Sequence, residues 1–363
     1  MKFTGGQIIA KALKANSVDY VAGPPGDGAR ALVEALLTPG TDIPFIHVIQ
    51  AHSAVHLADG YYRACGRPMA VVLTGPLGIP SALGALATAH QDACALLVIS
   101  NAQPETIAAN VMKDHATVST LQQLPQALRQ AFDTMLSAHP GPVSLSIDDA
   151  LQGACTNASL PPATLRAEPQ PTPRKISVLR EGRASSSVLE NDAILVIGSG
   201  PTQPMARKMF PVHYPGRHLC AGNPATLGWA VPAAIGAKLA MPARQVVCAV
   251  GSRDFLQSMQ EMAVCVMHSI PVVFLVFNSS GDEALGDVQT PPIEQHRAGE
   301  FNLPDGKPYA PDFAGIARNF GLEAWRVEHA SQLNATLVKA LNSKGPSLVE
   351  MMTARQPLQV LQS

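Results

Sequence analysis

The sequence is poor in charge and in aromatic residues. Of its 363 residues, 15% are Asp, Glu, Lys or Arg and 5% are Phe, Trp or Tyr. The net charge of −1 gives no electrostatic case for nucleic acid or a membrane surface as a partner. No apolar run is long enough to span a bilayer. The opening MKFTGGQIIAKALKAN is amphipathic and holds no signal-peptide core, which predicts a cytoplasmic protein. Cysteine is sparse: the six lie at 65, 94, 155, 220, 248 and 265 without Cys-x-x-Cys pairing. That argues against zinc sites and disulfides and for small core residues. What is plentiful is apolar content, 47%, cut into short runs. It is enough for two domains with buried sheets.

Those runs alternate with amphipathic stretches. In the first half, QIIAKALKAN predicts a helix, DYVAG a strand, ARALVEALL a helix and FIHVI a strand. SAVHLADGYYRAC (helix), MAVVLT (strand), SALGALATAH (helix), ALLVIS (strand), LPQALRQAFDTMLSA (helix) and PVSLSI (strand) continue the pattern. A Pro-, Thr- and Ala-rich stretch over 153–175 reads as a linker. Alternation restarts with AILVIG, TLGWAVPAAIGAKLA, QVVCAVG, FLQSMQEMAVCVMHS and VVFLVFN. An irregular stretch, 279–311, reads as an excursion over the sheet edge. DFAGIARNFG, EAWRVE, a helix capped by Ser331 and SLVEMM close the chain. The expected fold is α/β: two doubly wound parallel-sheet domains over 1–152 and 176–363.

Several segments carry chemistry by position. The strand QVVCAVG runs into Gly251-Ser252-Arg253-Asp254-Phe255, and VVFLVFN ends in Asn278-Ser279-Ser280. This frame resembles the thiamin-diphosphate (ThDP) enzyme signature: Gly-Asp-Gly, a spacer of this length, then Asn-Asn. DYVAGPPG (Asp19–Gly26), ADGYYRACGRP (Ala58–Pro68), ALATAHQDACALLVIS and PGPVSLSI are similar to the pyrimidine-binding domain of the acetolactate synthase and 2-oxo acid decarboxylase group. LGWAVPAAIGAKLA (Leu227–Ala240), DFAGIARNFGLEAWRVE and GPSLVEMM are similar to its diphosphate-binding domain. Larger relatives carry a central domain where this chain has the Pro-rich linker. The two-domain layout is more like phosphonopyruvate and sulfopyruvate decarboxylases.

The resemblance implies a pyrimidine-binding-like and a diphosphate-binding-like domain, with a homodimer or homotetramer forming sites between subunits. It places cofactor contacts at Pro25, Gly26, Ala51, Gly251, Ser252, Arg253, Asp254, Asn278, Ser279 and Gly281. Gly26-Asp27-Gly28 spells the motif but lies in the first domain's turn and is a decoy. At Ala51 relatives have the Glu that activates the cofactor, and a methyl group neither takes nor gives a proton. Glyoxylate carboligase also has an apolar residue there. Ser252 and Ser279 replace the Asp and the second Asn that hold magnesium, so neutral hydroxyls stand where hard oxygen ligands are needed. ThDP is therefore implied with altered anchoring or not at all, and magnesium absent or weakly held. Asp254 or Asp282 could supply a carboxylate from a shifted position. Arg253 has two readings: a cation for a phosphate or carboxylate, or a side chain that merely fills an abandoned pocket or pairs with Asp254.

For proton transfer, His52 beside Ala51 is the first candidate, with Gln50 and His115 in MKDHATVST after it. Ser53 is a weaker polar candidate. His47, His56 and His90 also lie near these motifs, His56 and His90 with structural roles expected. Asp59 is expected to be a structural cap or turn residue. The leading expectation is a lyase or carboligase acting on a C–C bond of a small 2-oxo acid or related carbonyl compound. Its substrate would be anionic, an oxo acid or a phosphate-bearing molecule. The alternative is a non-catalytic homologue acting as a binding or assembly subunit. A dehydrogenase reading of VIGSGP (Val196–Pro201) lacks the third Gly and the acidic residue of a dinucleotide site.

Overall fold

The computed structural model describes residues 2–101, 108–156, 188–200, 203, 206, 216–222, 226–278, 303 and 309–353. In the first domain, β1 (Phe3–Thr4) leads into α1 (Gly5–Ala15). Thr4 caps that helix: its hydroxyl accepts from Gln7 N at 3.1 Å, and Gln7 Oε1 accepts from Thr4 N at 3.0 Å. β2 (Val21–Gly23), α2 (Arg30–Leu36), β3 (Phe45–His47), α3 (Ala51–Cys65), β4 (Met69–Val72), α4 (Leu83–Gln91) and β5 (Leu96–Ser100) follow. β6 (Asp114–Val118), α5 (Leu124–Met135), β7 (Val143–Ile147), α6 (Asp149–Gly153) and β8 (Cys155–Thr156) complete it. Six strands form one parallel sheet in the order β3-β2-β4-β5-β7-β6. β8 pairs antiparallel with β1, so the first residues of the expected linker are tied to the start of the chain.

The second domain holds β9 (Ile194–Ile197), β10 (His218–Cys220), α7 (Ala230–Ala240), β11 (Val246–Gly251), α8 (Ser252–Leu256), α9 (Met262–Met267) and β12 (Val273–Asn278). α10 (Phe313–Asn319), β13 (Glu323–Val327), α11 (Ala330–Leu341) and β14 (Ser347–Met352) follow. Its parallel sheet runs β10-β9-β11-β12-β14-β13. All residues of β5, β7 and β12 are buried, as expected of strands covered by helices on both faces.

Two local expectations differ from the structure, and one strand has no counterpart among them. FLQSMQEMAVCVMHS is broken: α8 ends at Leu256, a 3₁₀ turn spans Met259–Glu261, and α9 resumes. The helix expected to start at Ser331 is capped by His329, in a reciprocal box with Gln332, because Gln332 Oε1 accepts from His329 N at 3.2 Å. DHATV forms an edge strand although four of its five residues are exposed, so it shows no alternating pattern.

One core runs through both domains, where α3 lies against α7. Glycine permits the contact. A Cβ on Gly60 would lie 2.5 Å from Ala233 Cα, and one on Gly236 would lie 2.8 Å from Tyr61 N. Beside this crossing sits a partly buried ionic cluster around the fully buried Asp59. Arg63 Nε donates to Asp59 Oδ1 at 2.6 Å and Nη2 to Asp92 Oδ2 at 2.5 Å, while Nη1 donates to Cys220 O of the other domain at 2.9 Å. Trp229 Nε1 donates to Asp59 Oδ2 at 2.7 Å, and Gly222 N to Asp92 Oδ2 at 2.7 Å. Asp59 is structural, but it sits mid-helix and bonds across the seam rather than capping a helix or making a turn. The Arg63 guanidinium also lies over the Trp229 ring, 5.1 Å from its centre.

Candidate functional site

Parallel α/β sheets bind ligands at the carboxyl ends of strands where the strand order reverses. In the first sheet the chain leaves β2 toward β3 and β4 toward β5, so the reversal lies between β2 and β4. Pro25 and Gly26 follow β2 there and are exposed. In the second sheet the reversal lies between β9 and β11. The loop Gly198–Gly200 follows β9, and Gly251, Ser252, Arg253 and Asp254 follow β11. Gly251 precedes α8 as its N-cap, with φ −74°, a conformation open to any residue.

The four motif residues differ in setting. Ser252 is half-buried, and Arg253 is exposed on α8. Asp254 is 2% exposed. Its Oδ2 accepts from Ser199 N at 2.8 Å, and its Oδ1 accepts from Gly228 N just ahead of α7. Burial pushes its pKa up to about 6, against the pull of these two backbone bonds. Asn278 ends β12 fully buried. Its Nδ2 donates to Glu350 Oε1 at 2.6 Å and to Pro311 O at 3.1 Å, which commits it to the fold. Glu350 also accepts from Ala314 N at 3.0 Å, at the start of α10. Ser279, Gly281 and Asp282 lie outside the described residues.

At the head of α3, the Ala51 methyl is 8% exposed and belongs to the shared core. Gln50 is exposed and precedes the helix without a side-chain cap bond. The backbone there meets a carboxylate from the other domain: Glu261 Oε2 accepts from Ile49 N at 3.1 Å and Oε1 from Gln50 N at 3.3 Å. Glu261 is fully buried, and burial raises its pKa against these bonds. Glu261 was not among the candidate residues; its signal is an acid immediately ahead of the apolar run MAVCVM, where a carboxylate needs partners if the fold buries it.

Next on α3, His52 is half-buried, and burial lowers its pKa. Its ring lies 6.1 Å from that of His56, edge to face. His56 is 2% exposed, with Nε2 3.4 Å from Thr226 Oγ1 and no partner on Nδ1. Burial first, then His52 and Arg63, lower its pKa to about 3, so it is neutral at pH 7. Neither His52 nor His115 meets the other within the chain: His115 is exposed on β6, at the edge of the sheet opposite β3.

Comparison with known proteins defines the class. Residues 3–129 match the family model of the thiamine pyrophosphate enzyme N-terminal TPP binding domain, and residues 198–351 match that of the C-terminal TPP binding domain. The chain belongs to the thiamine pyrophosphate (ThDP) enzyme family. It is 30% identical over 168 residues to the acetolactate synthase isozyme 1 large subunit of Escherichia coli K12, covering 46% of this chain and 29% of that one. It is 34% identical over 146 residues to acetolactate synthase of Arthrospira platensis, covering 39% of this chain and 24% of that one. The chain thus spans less than a third of either relative. An X-ray structure from Mycobacterium smegmatis, described as a candidate thiamin diphosphate-dependent enzyme, shares the fold. Its TM-score is 0.77 at 17% identity, covering 98% of this chain and 100% of that one.

Among the described residues, those at the family's metal and activating positions do not fit the magnesium–ThDP group that the family name implies. Magnesium needs hard oxygen ligands with carboxylate charge, and Ser252 offers a hydroxyl. Ala51 offers a methyl where the resemblance puts the activating carboxylate. Asp254 has a carboxylate, but its oxygens are engaged by Ser199 N and Gly228 N. Among the described residues, no group of three or more His, Cys, Asp or Glu is placed to hold a metal.

Proposed function

We propose that this chain is a ThDP-fold homologue that works as a binding or assembly subunit and does not run magnesium-anchored thiamin chemistry in its own cleft. The observation that carries the reading is Ala51, a buried methyl at the head of α3, beside a Glu261 carboxylate already bonded to Ile49 N and Gln50 N. Magnitudes support it. A positioned imidazole acting alone contributes about 10²–10⁴-fold to a rate, whereas enzymes accelerate by at least about 10⁶-fold. His52 alone leaves that gap open. The proposed assembly is a homodimer or homotetramer.

A second reading keeps the chain catalytic, as a lyase or carboligase acting on a C–C bond of a small 2-oxo acid or related carbonyl compound. His52 favours it: a half-buried imidazole with a lowered pKa is uncharged and able to take a proton at pH 7. One experiment separates the two. The purified protein is given pyruvate or glyoxylate, with and without ThDP and magnesium, while calorimetry follows ThDP binding. The expected result is no turnover and no metal-dependent binding. Turnover that His52→Ala abolishes would replace the first reading with the second.

A further inference from the structure

The crevice between β9 and β11 contains an anion of its own. Asp254 rises from the start of α8 and is buried there, with Oδ2 on Ser199 N at 2.8 Å and Oδ1 on Gly228 N. These two N–H groups come from different segments, the loop after β9 and the turn into α7. They converge on one carboxylate in the way backbone donors converge on a phosphate in an anion-binding concavity. The loop is shaped around it: a Cβ on Gly198 would run into Asp254 Oδ2 and lie 3.0 Å from Val250 Cγ2.

We propose that Asp254 is a built-in anion that fills the backbone cradle at the β9/β11 reversal and so bars phosphate and diphosphate ligands from it. The carboxylate uses the donors that such a ligand would need, and its charge repels a second anion at the same place. Asp254 is thus the residue that sets the ligand class of this crevice. With the carboxylate removed, the cradle takes a phosphate-type anion. The inference concerns the crevice alone and does not depend on whether the chain turns over a substrate.

The test uses inorganic pyrophosphate as the probe and isothermal titration of the full chain at pH 7.5, without metal. Wild type is compared with Asp254→Ser, which opens the space and removes the charge, and Asp254→Asn, which removes the charge at nearly constant volume. The expected result is an affinity at least tenfold higher in Asp254→Ser than in wild type, with Asp254→Asn between them. Wild type binding as tightly as Asp254→Ser would overturn the proposal. So would folded variants, checked by circular dichroism, that gain nothing. If Asp254→Ser fails to fold, Asp254→Asn decides: a gain over wild type supports the proposal and no gain overturns it. Either outcome leaves the turnover and thiamin titrations above to be judged separately.

Discussion

Replacing His56 with Phe should flatten the acid side of the stability curve. His56 is fully enclosed between the domains, and its pKa falls from 6.5 to about 3. A group with a depressed pKa binds fewer protons folded than unfolded. Stability is therefore present above the unfolded pKa of 6.5 and is lost as pH falls from 6.5 toward 3. At about 1.4 kcal/mol per pKa unit, the contribution lost between pH 7.5 and 4.5 is about 2–3 kcal/mol. Asp254 opposes this. Its folded pKa is raised from 3.8 to about 6, so ionising it costs stability as pH rises through that window, and acid relieves the cost. Glu261 has the same sign as Asp254. The wild-type slope is thus a difference between opposing groups, and the His56→Phe comparison isolates one of them. The assay is urea unfolding at half-unit steps from pH 4.5 to 7.5. Whatever the variant's stability at pH 7.5, its loss on acidification should be smaller than wild type's by about 2–3 kcal/mol. Parallel curves for the two proteins would refute the assignment of His56 as a neutral buried imidazole.

Three further outcomes follow from the seam and the site. Arg63→Ala leaves the buried Asp59 and the half-buried Asp92 without their cation and should cost about 3–5 kcal/mol, read as a fall in urea midpoint. Gly236→Ala sets a methyl against the backbone of α3 and should cost about 1–3 kcal/mol by the same measurement; an unchanged midpoint would mean that the helices do not cross this closely. Ala51→Glu should not restore metal-dependent ThDP binding in calorimetry, because it leaves Ser252 and the Asp254 carboxylate in place; saturable binding would show that the loss at 51 was the whole defect.

The sheets were legible because their strands are apolar on both faces. AILVIG, QVVCAVG and VVFLVFN each announce a buried parallel strand, and each is one. DHATV was not legible, since an exposed edge strand is defined by its neighbour β7 and not by its own pattern. The break in FLQSMQEMAVCVMHS is equally nonlocal: its 3₁₀ turn ends at Glu261, whose partners Ile49 and Gln50 belong to the other domain. The site divides the same way. The replacements at Ala51 and Ser252 could be read from spacing against a family pattern. That Asp254 answers to Ser199 and Gly228 could not, because those partners meet only after two loops converge at the sheet's end.

The indole of Trp229 adds an optical consequence. It is one of two tryptophans; the other, Trp325, lies half-buried on β13. Trp229 is held at the seam by Asp59 and faced by Arg63. Any event that parts the two domains would move this chromophore from an enclosed, charged setting into water. Its emission is therefore a native gauge of the seam, and a Trp325→Phe background would let that gauge be read without attaching a dye.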